Sequence, residues 1–355
     1  MTTRGGAERH TAGDQKMETI RLGTSEEELR VAAGIIQKGG LAAFPTETVY
    51  GLGGNALDES AVRKIYAVKG RPGDNPMIVH IARASDVGRL TPGLTPAAVS
   101  LIDHFWPGPL TLVLKKRTEV PEAVTGGLPT VAVRMPDHPA ALELIRLSGC
   151  PIAAPSANLS GRPSPTKAEH VLEDLNGKID AVIMGEDCRV GIESTVLDMT
   201  GDAPVILRPG VVTARDIEAA IGGEVKMDPA LLANRPEAGR SSEYTEPGPK
   251  SPGMKYEHYA PKARMVVLEG RRDRVKSEID RLKRQNEALG NKVGVILFEE
   301  KAFREAAHDF FAELRALDKQ GADLILAGAL SDTNGVGFAV MNRMLKAAGY
   351  HIVKV

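Results

Sequence analysis

Two cysteines, Cys150 and Cys188, are all that 355 residues contain. They build neither a disulfide framework nor a zinc site, and two reduced thiols fit a cytoplasmic setting. Aromatic residues make up 4% of the chain, with Trp106 the single tryptophan, which argues against a surface that stacks many bases. A charge excess is missing too: 45 Lys+Arg stand against 46 Asp+Glu, a net charge of −1. No global field therefore draws the chain to nucleic acid or anionic lipid. No apolar run reaches the ~18 residues of a membrane span. Residues 1–16 lack the apolar segment of a signal peptide and read as a disordered tail. No Walker loop, H-E-x-x-H, nucleophile elbow or kinase set occurs.

What remains is an ordinary soluble composition, 42% apolar and 26% charged, at a length that favours two domains. The pattern divides the chain into a domain over 17–222, a proline- and glycine-rich linker over 223–262 and a second domain over 263–355. In the second domain, apolar strands MVVLEG, VGVILF and ADLILAG alternate with helical stripes. The stripes are Val275, Ile279, Leu282 and Leu289, then Phe303, Ala307, Phe310, Leu314 and Leu317. Such alternation predicts a small parallel α/β sheet.

The chemistry-bearing residues lie in the first domain, beginning with the stretch Phe44 to Pro76. Gly51-x-Gly53-x-x-Ala56 formally fits a dinucleotide fingerprint. The six residues Pro45 to Tyr50 separate it from its strand, so it reads as a plain glycine turn rather than a nicotinamide site. Thr46 and Thr48 alternate in an extended segment, so both hydroxyls face one side; turn capping is their other reading. Lys69 and Arg71 flank Gly70 on a turn fixed by Pro72. His80 points opposite to Val79 and Ile81. Arg134, on the strand TVAVRMP, needs a substrate anion or an internal salt bridge. A small-residue strand ends at Ala154 and opens on Ser156-Ala-Asn158, Ser160 and Ser164, after which Thr166 is expected to cap a helix to Leu175. Ser194 opens one strand and Arg208 ends another. Together these cations and hydroxyls suit a polyanion and a small zwitterion.

The segments PTETVYGLGGNA, KGRPGDNPMIVHI, WPGPLTLVL, VAVRMPDHP, APSANLSGRPSPT, ESTVLD and ILRPG occur in this order. They resemble the YrdC family, and SPGMKYEHYAP with the C-terminal AVMNRMLKAAG resembles its long two-domain form. The resemblance spans about residues 17 to 355. It implies an open, twisted, mixed α/β sheet around a concave cavity, plus a small Rossmann-like domain. It also implies a reaction: L-threonine, bicarbonate or CO2 and ATP give L-threonylcarbamoyl-AMP and diphosphate, with Mg2+ on the ATP phosphates. A partner transferase complex would then carry the threonylcarbamoyl group to a tRNA adenosine beside the anticodon. By motif, Thr48, His80, Arg134, Ala154 and Ser194 would hold threonine. Lys69, Arg71, Asn75, Thr130, Ser156, Asn158, Ser164 and Arg208 would hold ATP, with Lys69 and Arg71 nearest the reacting phosphates. Tyr256, His258 and Tyr259 would close the pocket, with Glu257 standing where the family often has a basic residue. The alternative is an RNA-binding or regulatory module of the same type without this activity.

Overall fold

The computed structural model describes residues 18–232 and 258–355. Among them, eleven short strands form one mixed sheet. They are β1 (Ile20–Leu22), β2 (Ala42–Phe44), β3 (Gly51–Asn55), β4 (Ile78–His80), β5 (Leu110–Lys115), β6 (Thr130–Arg134), β7 (Ile152–Ala153), β8 (Ala181–Ile183), β9 (Thr195–Asp198), β10 (Val205–Arg208) and β11 (Lys226–Met227). The order is β1-β8-β2-β3-β7-β4-β6-β5-β9-β10-β11. β4 runs parallel to β6 and β5 parallel to β9, while β3–β7 and β7–β4 are antiparallel. The sheet thus brings to its centre segments that lie far apart in sequence.

The flanking helices form where caps and apolar stripes predict them. Ser25 caps helix Glu26–Gln37, whose Leu29, Ala32, Ala33 and Ile36 are buried. Asp58 caps Glu59–Lys69, which ends on Gly70 in the left-handed conformation. Helix Ala168–Leu175 differs. Its N-cap is Lys167, without a side-chain cap bond, and the buried Thr166 instead donates its backbone N–H to His170 Nδ1 at 3.3 Å.

The glycine cluster is not a turn. Gly51 to Asn55 form β3, hydrogen-bonded on both sides. A Cβ on Gly53 would stand 2.8 Å from both Ile152 Cγ2 and Phe44 Cε1. These glycines let large neighbours close over the strand, a packing role that outweighs their usual role as chain punctuation. The stretch expected to be linker also contributes structure. β11 pairs parallel with β10, and helix Pro229–Leu232 follows it.

The second unit is a four-stranded parallel sheet of β12 (Arg264–Glu269), β13 (Val293–Ile296), β14 (Leu324–Gly328) and β15 (Ile352–Lys354), in the order β13-β14-β12-β15. Helix Phe303–Gln320 buries Ala307, Phe310 and Leu314 against it. Leu289 does not belong to its stripe: helix Arg272–Ala288 stops one residue earlier and Leu289 is 77% exposed. Val49 and Ile192 of the first unit pack into the core of the second, so the two share buried surface. No helix among the described residues is long and apolar enough to cross a membrane.

Candidate active site

The main-sheet cavity lies where strand ends and the turn after β2 converge. Thr48, Arg71, His80, Arg134, Ala154, Ser156, Ser194, Arg208, His258 and Tyr259 all line it, with Thr46, Gly51 and Glu193. His80 and Arg134 are register partners on β4 and β6. Parallel pairing therefore places them side by side on one face. Ala154, which lines the cavity beside them, donates its N–H to Ile78 O at 3.0 Å.

Thr46 and Thr48 combine their two expected roles. Thr46 Oγ1 donates to Val49 O at 2.6 Å and accepts from the Val49 N–H at 3.2 Å. That closes the turn and holds the hydroxyl 2.9 Å from Thr48 Oγ1. Thr48 Oγ1 in turn accepts from Arg134 Nη1 at 2.9 Å.

Arg134 has internal partners as well. Its Nε donates to Gly108 O at 3.1 Å, and its Nη2 stands 2.6 Å from Glu47 Oε2. That ion contact is too far out of line to count as a hydrogen bond. Each terminal nitrogen carries two N–H groups, so these contacts leave donors that can take a carboxylate from the cavity. Glu47, buried at 1% exposure, supplies the counter-charge.

Across the cavity, Ser194 Oγ lies 2.8 Å from Thr111 Oγ1. Arg208 donates from Nε to Ser194 O at 3.1 Å and from Nη2 to Ser194 Oγ at 3.2 Å. Arg71 Nη2 is steadied by the Asn75 side-chain oxygen at 2.7 Å and by Pro76 O at 2.8 Å. Three guanidinium groups thus meet one cavity, an arrangement suited to anions.

Five expected ligands do not line this cavity: four stand behind its wall and Thr130 lies at the far end of β6. Lys69 ends its helix at 2% exposure. Its ammonium donates to Ser156 O at 2.5 Å and to Asn158 O. Burial, then the charge of Arg71, holds its pKa well below the usual lysine value. Instead of sitting on an open turn, Lys69 clamps the Ser156–Asn158 loop. Asn158 Nδ2 bonds Leu159 O and Arg162 O, Ser164 Oγ bonds Glu193 Oε1 at 2.6 Å, and Asn75 orients Arg71. Thr130 opens β6, at the end opposite Arg134.

Of the expected closing residues, Tyr256 lies outside the described residues, as does Glu257. Tyr259 is buried at 5% exposure with φ of 68°, a strained value for a bulky residue. Its ring packs 5.1 Å from Phe311, and Ala260 N–H bonds Gly161 O at 2.8 Å. His258 Nε2 is buried without a hydrogen-bond partner.

Two family models match: Sua5/YciO/YrdC, described as telomere recombination, over residues 34–210, and the C-terminal domain of threonylcarbamoyl-AMP synthase over 212–349. A threonylcarbamoyl-AMP synthase of Pyrococcus abyssi is 49% identical over 346 residues, covering 95% of this chain and 98% of that protein. The Bacillus subtilis enzyme is 46% identical over 353 residues, covering 95% and 97%. The chain belongs to the threonylcarbamoyl-AMP synthase family. A crystal structure of P. abyssi Sua5 complexed with L-threonine superposes with a TM-score of 0.87 at 48% identity, covering 95% of this chain and 99% of that one. The expected mixed α/β fold with its small parallel second sheet is therefore the family's fold.

In this synthase-family cavity the sequence did not mark Glu47, Glu193 or Thr111. Glu47 lies inside the quoted PTETVYG segment and Glu193 inside ESTVLD, so motif membership was the available signal. Arg343, which reaches Glu193 from the second unit at 3.1 Å, lies inside the quoted AVMNRMLKAAG and carried the same signal.

Burial, then the charge of Arg134, lowers His80 from its ordinary 6.5 to about 3. The imidazole is neutral at pH 7, and its buried Nδ1 has no hydrogen-bond partner. Burial also lowers His258 to about 3 and His170 to about 4. As pH falls below the ordinary histidine value, the unfolded chain takes up protons that these folded histidines refuse, so stability falls with pH. The urea midpoint should be lower at about pH 5 than at about pH 7, and His80→Asn should narrow that gap. Equal midpoints for the parent protein would contradict a neutral buried His80.

Proposed function

We propose that this cavity makes L-threonylcarbamoyl-AMP and diphosphate from L-threonine, bicarbonate or CO2 and ATP, as a nucleotidyltransferase. The observation that carries the reading is the joining of two half-sites in one cavity: Arg134, His80, Thr48 and Ser194 on one side, Arg71, Ser156 and Arg208 on the other. The L-threonine complex of the P. abyssi relative supports an amino-acid half-site.

In this reading Arg134 takes the threonine carboxylate, while Thr48, Ser194 and neutral His80 set the hydroxyl and the amine. The amine condenses with bicarbonate, losing water, to give a carbamate. A carbamate oxygen attacks the α-phosphorus of ATP, the bond to the β-phosphate oxygen breaks, and diphosphate leaves. No protein nucleophile is required, so the protein works by positioning and by offsetting charge. Carbamate and triphosphate repel each other, and Arg71 and Arg208 reduce that repulsion. Lys69, Asn75, Asn158 and Ser164 act one step back, through the loop and side chains they hold.

Mg2+ fits this reading as a passenger on the ATP phosphates. The described residues hold no group of three or more His, Cys, Asp or Glu placed to bind a metal. Such an ion keeps waters and substrate oxygens as its ligands. The product would pass to a transferase complex acting on tRNA in the cytoplasm.

The test is diphosphate release by purified protein with Mg2+. It should require threonine, bicarbonate and ATP together, and Arg71→Ala should abolish it. Release that ignores threonine, or an Arg71→Ala rate equal to the parent rate, would defeat the reading.

A further inference from the structure

Among the described residues of the second unit, Arg343 hydrogen-bonds to Glu193 of the cavity wall. It lies on helix Val336–Ala347 and is fully buried. Its Nε donates to Glu193 Oε2 at 3.1 Å and its Nη2 to Glu193 O at 3.3 Å. Nη1 donates to Pro209 O. Glu193 immediately precedes Ser194, and Pro209 immediately follows Arg208. One guanidinium therefore ties together the two segments that deliver Ser194 and Arg208 into the cavity.

Glu193 is a carboxylate in a wall otherwise suited to anions. It is 7% exposed, and Ser164 bonds its Oε1. Arg343 meets it from outside the cavity, while Arg208 lines the cavity beside it. Burial pushes Glu193 up, but Arg343 and then Arg208 outweigh it and hold the carboxyl below its usual range. A carboxylate between two guanidinium groups pairs most closely with whichever is better placed. With Arg343 gone, the cations left around Glu193 are Arg208, which lines the cavity with it, and Lys346 on the helix that carried Arg343.

We infer that Arg343 is a positioning residue: it occupies Glu193 so that Arg208 stays directed at the substrate anion. The second unit is thus a working part of the site. The inference rests on the proposed reaction for the identity of that anion, the triphosphate of ATP.

The experiment measures ATP and inorganic triphosphate affinity by titration, and KM against kcat for diphosphate release. The proteins are the full chain, Arg343→Met, Arg343→Lys and the double variant Arg343→Met/Glu193→Gln, each checked by thermal unfolding. Arg343→Met should weaken ATP and triphosphate by about tenfold, with the threonine KM changed by less than about threefold. Arg343→Lys should fall between. Removing the Glu193 charge as well should bring ATP affinity back to within about threefold of the parent, because the competitor for Arg208 is gone. A brace that only supported folding would regain its unfolding midpoint from that second change, but it would not give folded Arg343→Met an ATP loss selective over threonine that Glu193→Gln repairs. Should Arg343→Met fail to fold, the double variant, which removes both members of the pair, decides alone: a tenfold weaker ATP affinity overturns the inference. Unchanged affinity in Arg343→Met, or a loss that Glu193→Gln does not repair, overturns it too. If the parent binds ATP but releases no diphosphate, the proposed reaction fails while the affinities still decide the role of Arg343. If the parent binds neither nucleotide nor triphosphate, both fail.

Discussion

Arg134→Ala should abolish threonine-dependent diphosphate release and also destabilise the fold, and the two effects are separable. Arg134 and Glu47 are 3% and 1% exposed. Removing the arginine leaves the Glu47 carboxylate buried without its ion contact, and breaking such a pair costs about 3–5 kcal/mol. The substrate loses its charged partner as well, which at about 1.5–3 kcal/mol per hydrogen bond to a charged group raises the threonine KM by about 100-fold or more. Thr48 loses the N–H that fixes its hydroxyl. The double variant Arg134→Met/Glu47→Gln separates the terms. Removing both charges should restore most of the unfolding midpoint, since a buried pair replaced as a unit is tolerated. Activity should stay absent, since nothing then holds the carboxylate. Recovery of threonine-dependent turnover in the double variant would show that Arg134 matters only for folding.

Arg134 also shows how far sequence reading reaches. Its strand, its neighbours and its need for an anion were all legible in TVAVRMP. Whether that anion is substrate or protein was not, because the answer depends on Glu47, which lies 87 positions earlier and meets it only across the sheet. The structure gives Arg134 an internal partner and a place on the cavity wall, so the two alternatives are not exclusive. Helices with caps and stripes were legible for a local reason: capping and periodicity lie within a few residues. The glycine strand was not, because the need for glycine at Gly53 comes from Phe44 and Ile152 closing over it. Lys69 was expected on a turn, whereas it ends helix Glu59–Lys69 and is buried. Its direction was hidden, because the carbonyls that capture it belong to residues 156 and 158. The burial of Arg343 was least legible, since a charged residue in an amphipathic helix ordinarily faces solvent.

Gly191→Ala should be the most damaging single methyl addition at the seam between the two units. Gly191 has φ of +83°, a conformation that costs a non-glycine residue about 1–3 kcal/mol. A Cβ there would also stand less than 3.0 Å from the backbone carbonyls of Ala307 and His308. These atoms lie inside helix Phe303–Gln320 and cannot rotate away as a flexible side chain would. Relief requires the loop to lift off the helix, an overpacking cost of about 1–3 kcal/mol on top of the strain. The loop has a second task. Val190 N–H bonds Glu47 O at 2.8 Å and Gly191 N–H bonds Thr48 O at 3.1 Å. Lifting it therefore loosens the turn that carries Thr48 and the counter-charge of Arg134. The control is Gly222→Ala. Gly222 has φ of +65° but nothing within 4 Å of an added Cβ, so it isolates the strain. The unfolding free energy of Gly191→Ala should fall further than that of Gly222→Ala by about 1–3 kcal/mol. Only Gly191→Ala should raise the threonine KM. Equal destabilisation, or a threonine KM unmoved by Gly191→Ala, would show that the second unit touches this loop without bearing on the site.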